Sequence, residues 1–209
     1  MNNKKIVIAI VLILLLLFTA CGKAADSGIN WDESYGIVVN RDGEKITIII
    51  SPERSEGTTQ EDLDKEKEEY EYYSARLNSD GSVTRVVNQD YYDRLIAATG
   101  DMTKYYAQAL ASSDDYPNIV YAAYTDDFKA SVIMTTNEVA DKKEIAAMFA
   151  LMDQAKNYLA IAGQDPKQNT RSYIVNANTG KYLYGITEDK VEEIDEIIKT
   201  YLSGEIKEE

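Results

Sequence analysis

Histidine is absent from this 209-residue chain, and cysteine occurs only once, at Cys21. Without histidine the chain cannot form Ser-His or Cys-His nucleophile pairs, histidine-ligated zinc sites or imidazole acid–base catalysts. A single cysteine also excludes a disulfide within the chain. The chemistry that remains is a carboxylate pair, a Ser-Lys pair or a metal site built from oxygen ligands.

Long apolar runs are also scarce, and the clearest one lies at the amino terminus. Lys4 and Lys5 precede thirteen consecutive apolar residues from Ile6 to Phe18. A membrane-spanning helix needs about 20 such residues, whereas the hydrophobic part of a secretion signal needs roughly 7–15. The pattern therefore predicts a secretion signal over residues 1–20.

The end of this signal, Leu17-Phe18-Thr19-Ala20-Cys21-Gly22, resembles the lipobox of bacterial lipoproteins. Phe18 departs from the motif, which usually has leucine at that place. The resemblance implies that Cys21 carries a diacylglyceryl group and becomes the first residue of the mature protein, anchored at the extracytoplasmic face of the cell membrane. The alternative is an ordinary signal cleaved after Ala20, which leaves a free thiol. The resemblance covers 22 residues and assigns no family to the rest of the chain.

Basic residues are outnumbered throughout the remaining sequence. The whole chain has 22 basic and 36 acidic residues, and removal of Lys4 and Lys5 with the signal leaves 20 and 36, a formal charge of −16. Such a surface repels nucleic acids and anionic lipid head groups. We therefore expect no nucleic-acid partner, and we expect the lipid rather than charge attraction to hold the protein at the membrane.

The mature sequence has the length of one domain. Residues 21–34 are predicted to be the lipidated cysteine and a tether. Trp31 near the end of the tether is either the first packed residue of the domain or a ring at head-group level, and the packed position is favoured. A single α+β domain is expected over residues 35–204, followed by a charged tail at 205–209. The domain is predicted to be an antiparallel sheet built from hairpins, with about three helices on one face. Turn sequences place the hairpins within residues 37–50, 70–88, 119–135 and 172–186.

Local signals refine this prediction. Asp90 can cap the first long helix, and Asp141 with Glu144 resembles a capping box at the start of the second. Thr187 is predicted to lead the last helix. Strand 46–50 is apolar almost throughout, which predicts that both of its faces are covered. The acidic segment 61–69 is either a cation-binding patch or a solvated loop or helix, and the second interpretation is favoured.

Tyrosine supplies the candidate binding residues, because the chain has 16 tyrosines against three phenylalanines. Strand alternation sends Tyr121 and Tyr124 to opposite faces, but Tyr182 and Tyr184 to one face. We therefore predict that Tyr182 and Tyr184 form a contact surface for a sugar or a protein. The alternative is that tyrosines simply lie at the boundary between core and water.

No catalytic residues, metal ligands or cofactor are predicted. The adjacent acids Asp114-Asp115, Asp126-Asp127 and Glu192-Glu193 are expected by chance in so acidic a chain. The turns around Gly43 and Gly81 lack the acids that an EF-hand needs. The leading hypothesis is a non-catalytic binding or accessory lipoprotein for a protein or cell-envelope ligand. The alternatives are a carboxylate-dependent envelope hydrolase and a small solute-binding lipoprotein.

Overall fold

The computed structural model describes residues 29–32, 34–167, 171–186 and 191–205. The signal and lipobox, with Cys21, lie outside the described residues, as do Thr187 and most of the tail. Across the described residues, none of the helices combines the length and the apolar character that crossing a membrane requires. Trp31 is half-buried, and its carbonyl accepts a hydrogen bond from the Gly36 N–H at 2.9 Å.

The fold is α+β, as the sequence predicts, with eight described strands and four described helices. The strands are β1 (Ile37–Asp42), β2 (Lys45–Ile50), β3 (Ser74–Leu77), β4 (Val83–Asn88), β5 (Ile119–Tyr124), β6 (Ala130–Thr135), β7 (Arg171–Asn176) and β8 (Tyr182–Gly185). The helices are α1 (Gln60–Tyr70), α2 (Gln89–Ala111), α3 (Lys142–Ile161) and α4 (Glu192–Leu202). All four predicted hairpins are present.

The strands form two four-stranded sheets rather than the single sheet that was expected. The first sheet has the order β1-β2-β4-β3 and is antiparallel throughout. The second has the order β5-β6-β7-β8, and β6 and β7 are parallel. The connection between β6 and β7 contains α3, because parallel neighbours need a long crossover. The hairpin signals fix local pairs of strands, but not which pairs join into one sheet.

The chain divides into two compact units. The first takes the residues up to Gly100 together with Leu159–Pro166, and the second takes Asp101–Tyr158 together with the residues from Lys167 onward. The boundary falls inside α2 and near the end of α3, so neither unit is a continuous segment. The expected single domain over residues 35–204 stays a prediction, because two compact units can still unfold together as one cooperative domain.

The first unit buries one face of its sheet. The buried cluster joins Ile46 and Ile48 of β2 to Leu63 of α1 and Tyr92 of α2. Thr47 and Ile49, which alternate with these isoleucines, are only half-buried. The prediction that residues 46–50 are covered on both faces is therefore wrong. An antiparallel sheet needs only one covered face, and three isoleucines in a row do not change that.

The second unit buries both faces of its sheet. Ile133 and Ile174 belong to a cluster that includes α2 and α3 residues, whereas Val132, Tyr173 and Val175 belong to another that includes Ile194 and Ile198 of α4. The sequence had predicted that all helices lie on one face of the sheet. In this sheet they lie on both faces, so that part of the prediction is wrong. Tyr121 and Tyr124 lie on opposite faces, as expected.

Helix ends follow the local signals closely, with one shift. The Asp141 N–H donates to Glu144 Oε2 and the Glu144 N–H to Asp141 Oδ1, so the predicted capping box is present. The cap of α2 is Asn88 rather than Asp90, because the Asn88 side chain accepts from the Tyr91 N–H at 2.7 Å. Segment 61–69 lies in α1, an exposed helix whose Thr59–Asp62 capping box the sequence analysis had missed.

Candidate functional site

The two predicted binding tyrosines lie on β8, at the edge of the second sheet. The Tyr182 hydroxyl donates a 2.7 Å hydrogen bond to Asp195 of α4, and its ring packs edge-on against Tyr173 at 5.5 Å. Burial and the nearby Asp195 carboxylate raise the pKa of Tyr182. Tyr182 therefore attaches α4 to the sheet, which is a structural role. Tyr184 is 41% exposed and offers a free ring surface.

A register shift in β8 separates these two tyrosines. Tyr182 lies opposite Val175 and Tyr184 opposite Ile174, so two steps along β8 match one step along β7. Ile174 and Val175 face opposite sides of the sheet, and the two tyrosines therefore do not share a face. The premise for choosing this pair is wrong, because simple alternation does not anticipate a bulge. Binding by Tyr184 stays a prediction.

The adjacent acids at the β5–β6 turn organise the turn itself. Asp127 accepts hydrogen bonds from the Thr125 hydroxyl at 2.9 Å and the Lys129 N–H at 3.0 Å. The Asp126 N–H donates to Glu193 of α4 at 2.8 Å, and the Asp126 side chain is fully exposed. These acids hold a turn and a helix start together, which is the role expected of carboxylates at such positions.

Among the carboxylates that the structure describes, Glu144 is the most buried, with 2% of its surface exposed. Its Oε1 accepts from the Thr135 hydroxyl and from Asn137 Nδ2, the latter at 2.8 Å, and its Oε2 accepts from the Asp141 N–H at 2.8 Å. Asn176 Nδ2 donates to the Asn137 carbonyl and links this network to the end of β7. Glu144 is thus fully engaged in joining the start of α3 to the ends of the two parallel strands.

A cluster of tyrosines surrounds an ion pair in the first unit. Both the Nε and an Nη of Arg85 donate to Glu66 Oε2, at 3.0 and 2.8 Å. The Tyr72 and Tyr91 hydroxyls are hydrogen-bonded at 2.7 Å, and the Tyr70 ring stacks on Tyr72 at 5.9 Å. Burial raises the pKa of Tyr72. The polar groups satisfy one another, as buried polar groups must.

The uncovered side of the first sheet is a surface that the sequence analysis did not identify. We call it the open face and define it by Val38, Lys45, Ile49, Arg76, Thr84 and Val86. Val38, Ile49, Thr84 and Arg76 lie opposite one another across the four strands. The aliphatic residues are half-buried, and Lys45 and Arg76 are exposed. Burial alternates over residues 46–49 of β2 and along β4, so one side of this sheet stays uncovered, whereas the apolar run Ile48–Ile50 in the sequence does not show such an alternation.

The ring of Tyr73 lies beside the open face. It is 49% exposed, and Lys45 Nζ lies 5.4 Å from its centroid. Asp42 is the one acidic residue among the strand residues that alternation directs to this side, and it lies opposite Lys45. A surface of half-buried aliphatic side chains edged by cations and an aromatic ring is suited to contact with an anionic, partly apolar partner.

Comparisons with known proteins assign no family to the chain. No family model, no curated protein and no solved structure matches it. In the residues that the structure describes, no group of three or more acidic or cysteine side chains is placed to hold a metal ion.

Proposed function

We propose that this chain is a lipoprotein anchored through Cys21 at the extracytoplasmic face of the cell membrane, whose α+β region binds a protein or cell-envelope ligand without catalysing a reaction. The observation that carries the proposal is the lipobox-like segment that follows the apolar run and ends at Cys21-Gly22. A lipid on this cysteine would hold the folded region beside the membrane, where an envelope partner is at high local concentration.

The described carboxylates with known partners give no support to the alternative of a carboxylate-dependent hydrolase. Catalysis by a carboxylate pair needs two groups facing one cleft, one of them poised to give or take a proton. Glu144 instead accepts hydrogen bonds from three groups, and Asp127 holds its own turn. These acids have structural partners, so their presence gives no support to a hydrolase.

The anchor is tested by growing cells that express the full chain with an alkyne-bearing fatty acid. We expect the protein to incorporate the fatty acid, and the Cys21→Ser variant to incorporate none. Incorporation by the Cys21→Ser variant, or none by the parent chain, would contradict the anchor. The masses of the mature amino termini would then show whether cleavage occurs after Ala20.

Binding is tested with the chain from Gly22 onward as bait for detergent-solubilised cell envelope. At about 150 mM salt, attraction between exposed charges is screened beyond roughly 8 Å. We expect a retained partner that survives this salt and that an equally acidic control protein does not retain. The Tyr184→Ala variant should weaken retention and Tyr105→Ala should not, although both rings are exposed. Turnover of an envelope glycan or peptide that stops on replacement of one carboxylate would overturn the non-catalytic role.

A further inference from the structure

The first unit has two sides of different character. Helix α1, whose Leu63 packs into the core beneath the covered face, carries six acidic residues and two lysines. The strand residues directed to the opposite side carry Lys45 and Arg76 against Asp42 alone. In a chain with a formal charge of −14, the open face is therefore a surface that an anion can approach.

The chain between Cys21 and the first sheet is short. Fifteen residues lie between Cys21 and Ile37, the first residue of the edge strand β1. Even fully extended, such a segment spans at most about 55 Å. A lipid on Cys21 would therefore keep the first unit close to the bilayer, and even a weak attraction between one face and the lipid would set the orientation of the unit.

We propose that the open face rests against an anionic lipid surface, with Lys45 and Arg76 toward the phosphates and Tyr73 at head-group level. This inference depends on the Cys21 anchor proposed above. Basic side chains are attracted to anionic lipids, and tyrosine rings favour the interface between water and hydrocarbon. The acidic helix α1 then points away from the membrane, where it meets no repulsion from the lipid.

The experiment places a fluorescent label on a cysteine at Thr84, in the middle of the open face. The matched control carries the label at Glu68, an exposed position on α1 of the same unit. Introduced cysteines are the only free thiols when Cys21 is lipidated. The lipidated proteins are reconstituted into vesicles that contain phosphatidylglycerol and a lipid with a nitroxide on its head group, which quenches nearby fluorophores.

We expect the label at Thr84 to be quenched and the label at Glu68 to stay bright. The Lys45→Gln and Arg76→Gln variants should each lower the ratio of face-down to detached molecules about fivefold, because each basic residue contributes about that factor near an anionic surface. Lys181→Gln, at an exposed lysine of the second unit, is the control substitution. High salt or neutral lipid should abolish the difference between the two labels.

Equal quenching of the labels at Thr84 and Glu68 would overturn the proposal. So would quenching at Thr84 that is the same in anionic and neutral vesicles. Protection of Thr84 that rises with protein concentration rather than lipid charge would assign the face to a second copy of the chain. Flotation with the vesicles tests the anchor separately. The chain from Gly22 onward, held by an amino-terminal histidine tag on a nickel-chelating lipid, tests the orientation even if Cys21 carries no lipid.

Discussion

The two sheets have four strands each, yet they bury their side chains differently. Over residues 46–49 of β2 and along β4, buried residues alternate with half-buried ones, whereas every residue of β6 is buried. The cause is the covering of each sheet. In the first unit the buried cluster lies on one side of the sheet, whereas in the second unit buried clusters lie on both sides, because helices pack against both faces. The apolar content of a strand therefore predicts less about its burial than the number of sheet faces that helices cover, since β2 and β6 are both inner strands of four-stranded sheets.

The largest expected effect on unfolding free energy comes from truncating neighbouring side chains in β6 and in β2. In β6, Ile133→Ala should cost about 2–5 kcal/mol of unfolding free energy and Val132→Ala nearly as much, although they point to opposite faces. In β2, Ile48→Ala should cost a similar amount, but Ile49→Ala only about 1 kcal/mol, because its side chain is half-exposed. Urea unfolding followed by circular dichroism measures all four. Equal costs for Ile48 and Ile49 would mean that the open face is covered in solution.

The second test concerns the ion pair beneath the covered face of the first sheet. The Arg85 side chain is 8% exposed and that of Glu66 is 29% exposed. Glu66→Gln leaves a buried guanidinium without its counter-charge and should cost about 2–3 kcal/mol, less than for a fully buried pair. Replacing both residues, by Gln at Glu66 and Met at Arg85, should recover about half of that loss. A double variant no more stable than Glu66→Gln would contradict this. The lost stability would then come from the packing of the Arg85 side chain rather than from its unpaired charge.

Local chemistry was predictable from the sequence where it depends on a few adjacent residues. Turn sequences indicated the hairpins, two of them through Asp42-Gly43 and Asp80-Gly81, and Asp141 with Glu144 indicated the start of α3. Features that depend on distant partners were not predictable. The bulge that separates Tyr182 from Tyr184 arises from the pairing of β8 with β7, and the burial of Glu144 arises from Thr135 and Asn137. No local pattern in the sequence indicates that Lys45 and Arg76 share a face, because the four-stranded order that brings them there depends on pairing between distant segments.

The two capping boxes give a third comparison, in which the same motif is exposed in one unit and buried in the other. Glu144→Gln replaces one carboxylate oxygen by an NH2 group, which cannot accept a hydrogen bond. Either the bond from the Asp141 N–H or those from Thr135 and Asn137 are lost, and the unfolding free energy should fall by about 1–3 kcal/mol. Asp62→Asn at the exposed box of α1 should cost less, because water can replace the lost acceptor. Glu138→Gln, at an exposed position near Glu144, is the control. A larger loss for Asp62→Asn than for Glu144→Gln would contradict the expectation that the buried capping box contributes more stability than the exposed one.

The smallest effect is the alkaline dependence of stability, which both units share through buried tyrosines. Burial raises the pKa of Tyr124, whose hydroxyl donates to the Leu151 carbonyl at 3.0 Å. The unfolded phenol ionises at about pH 10, while the folded phenol keeps its proton. Tyr124 therefore contributes full stability below about pH 10, and this stability is lost by about 1.4 kcal/mol per pH unit as the pH rises toward the folded pKa. Tyr124→Phe should reduce the loss of unfolding free energy between about pH 10 and 11 by about 1 kcal/mol, because the unfolded phenol is only half ionised at the lower pH. Tyr72→Phe should do the same for the first unit, with the exposed Tyr105→Phe as control. An unchanged slope for Tyr124→Phe would mean that its hydroxyl reaches water in solution, and that the burial contrast between the two sheets is smaller than their side-chain packing indicates.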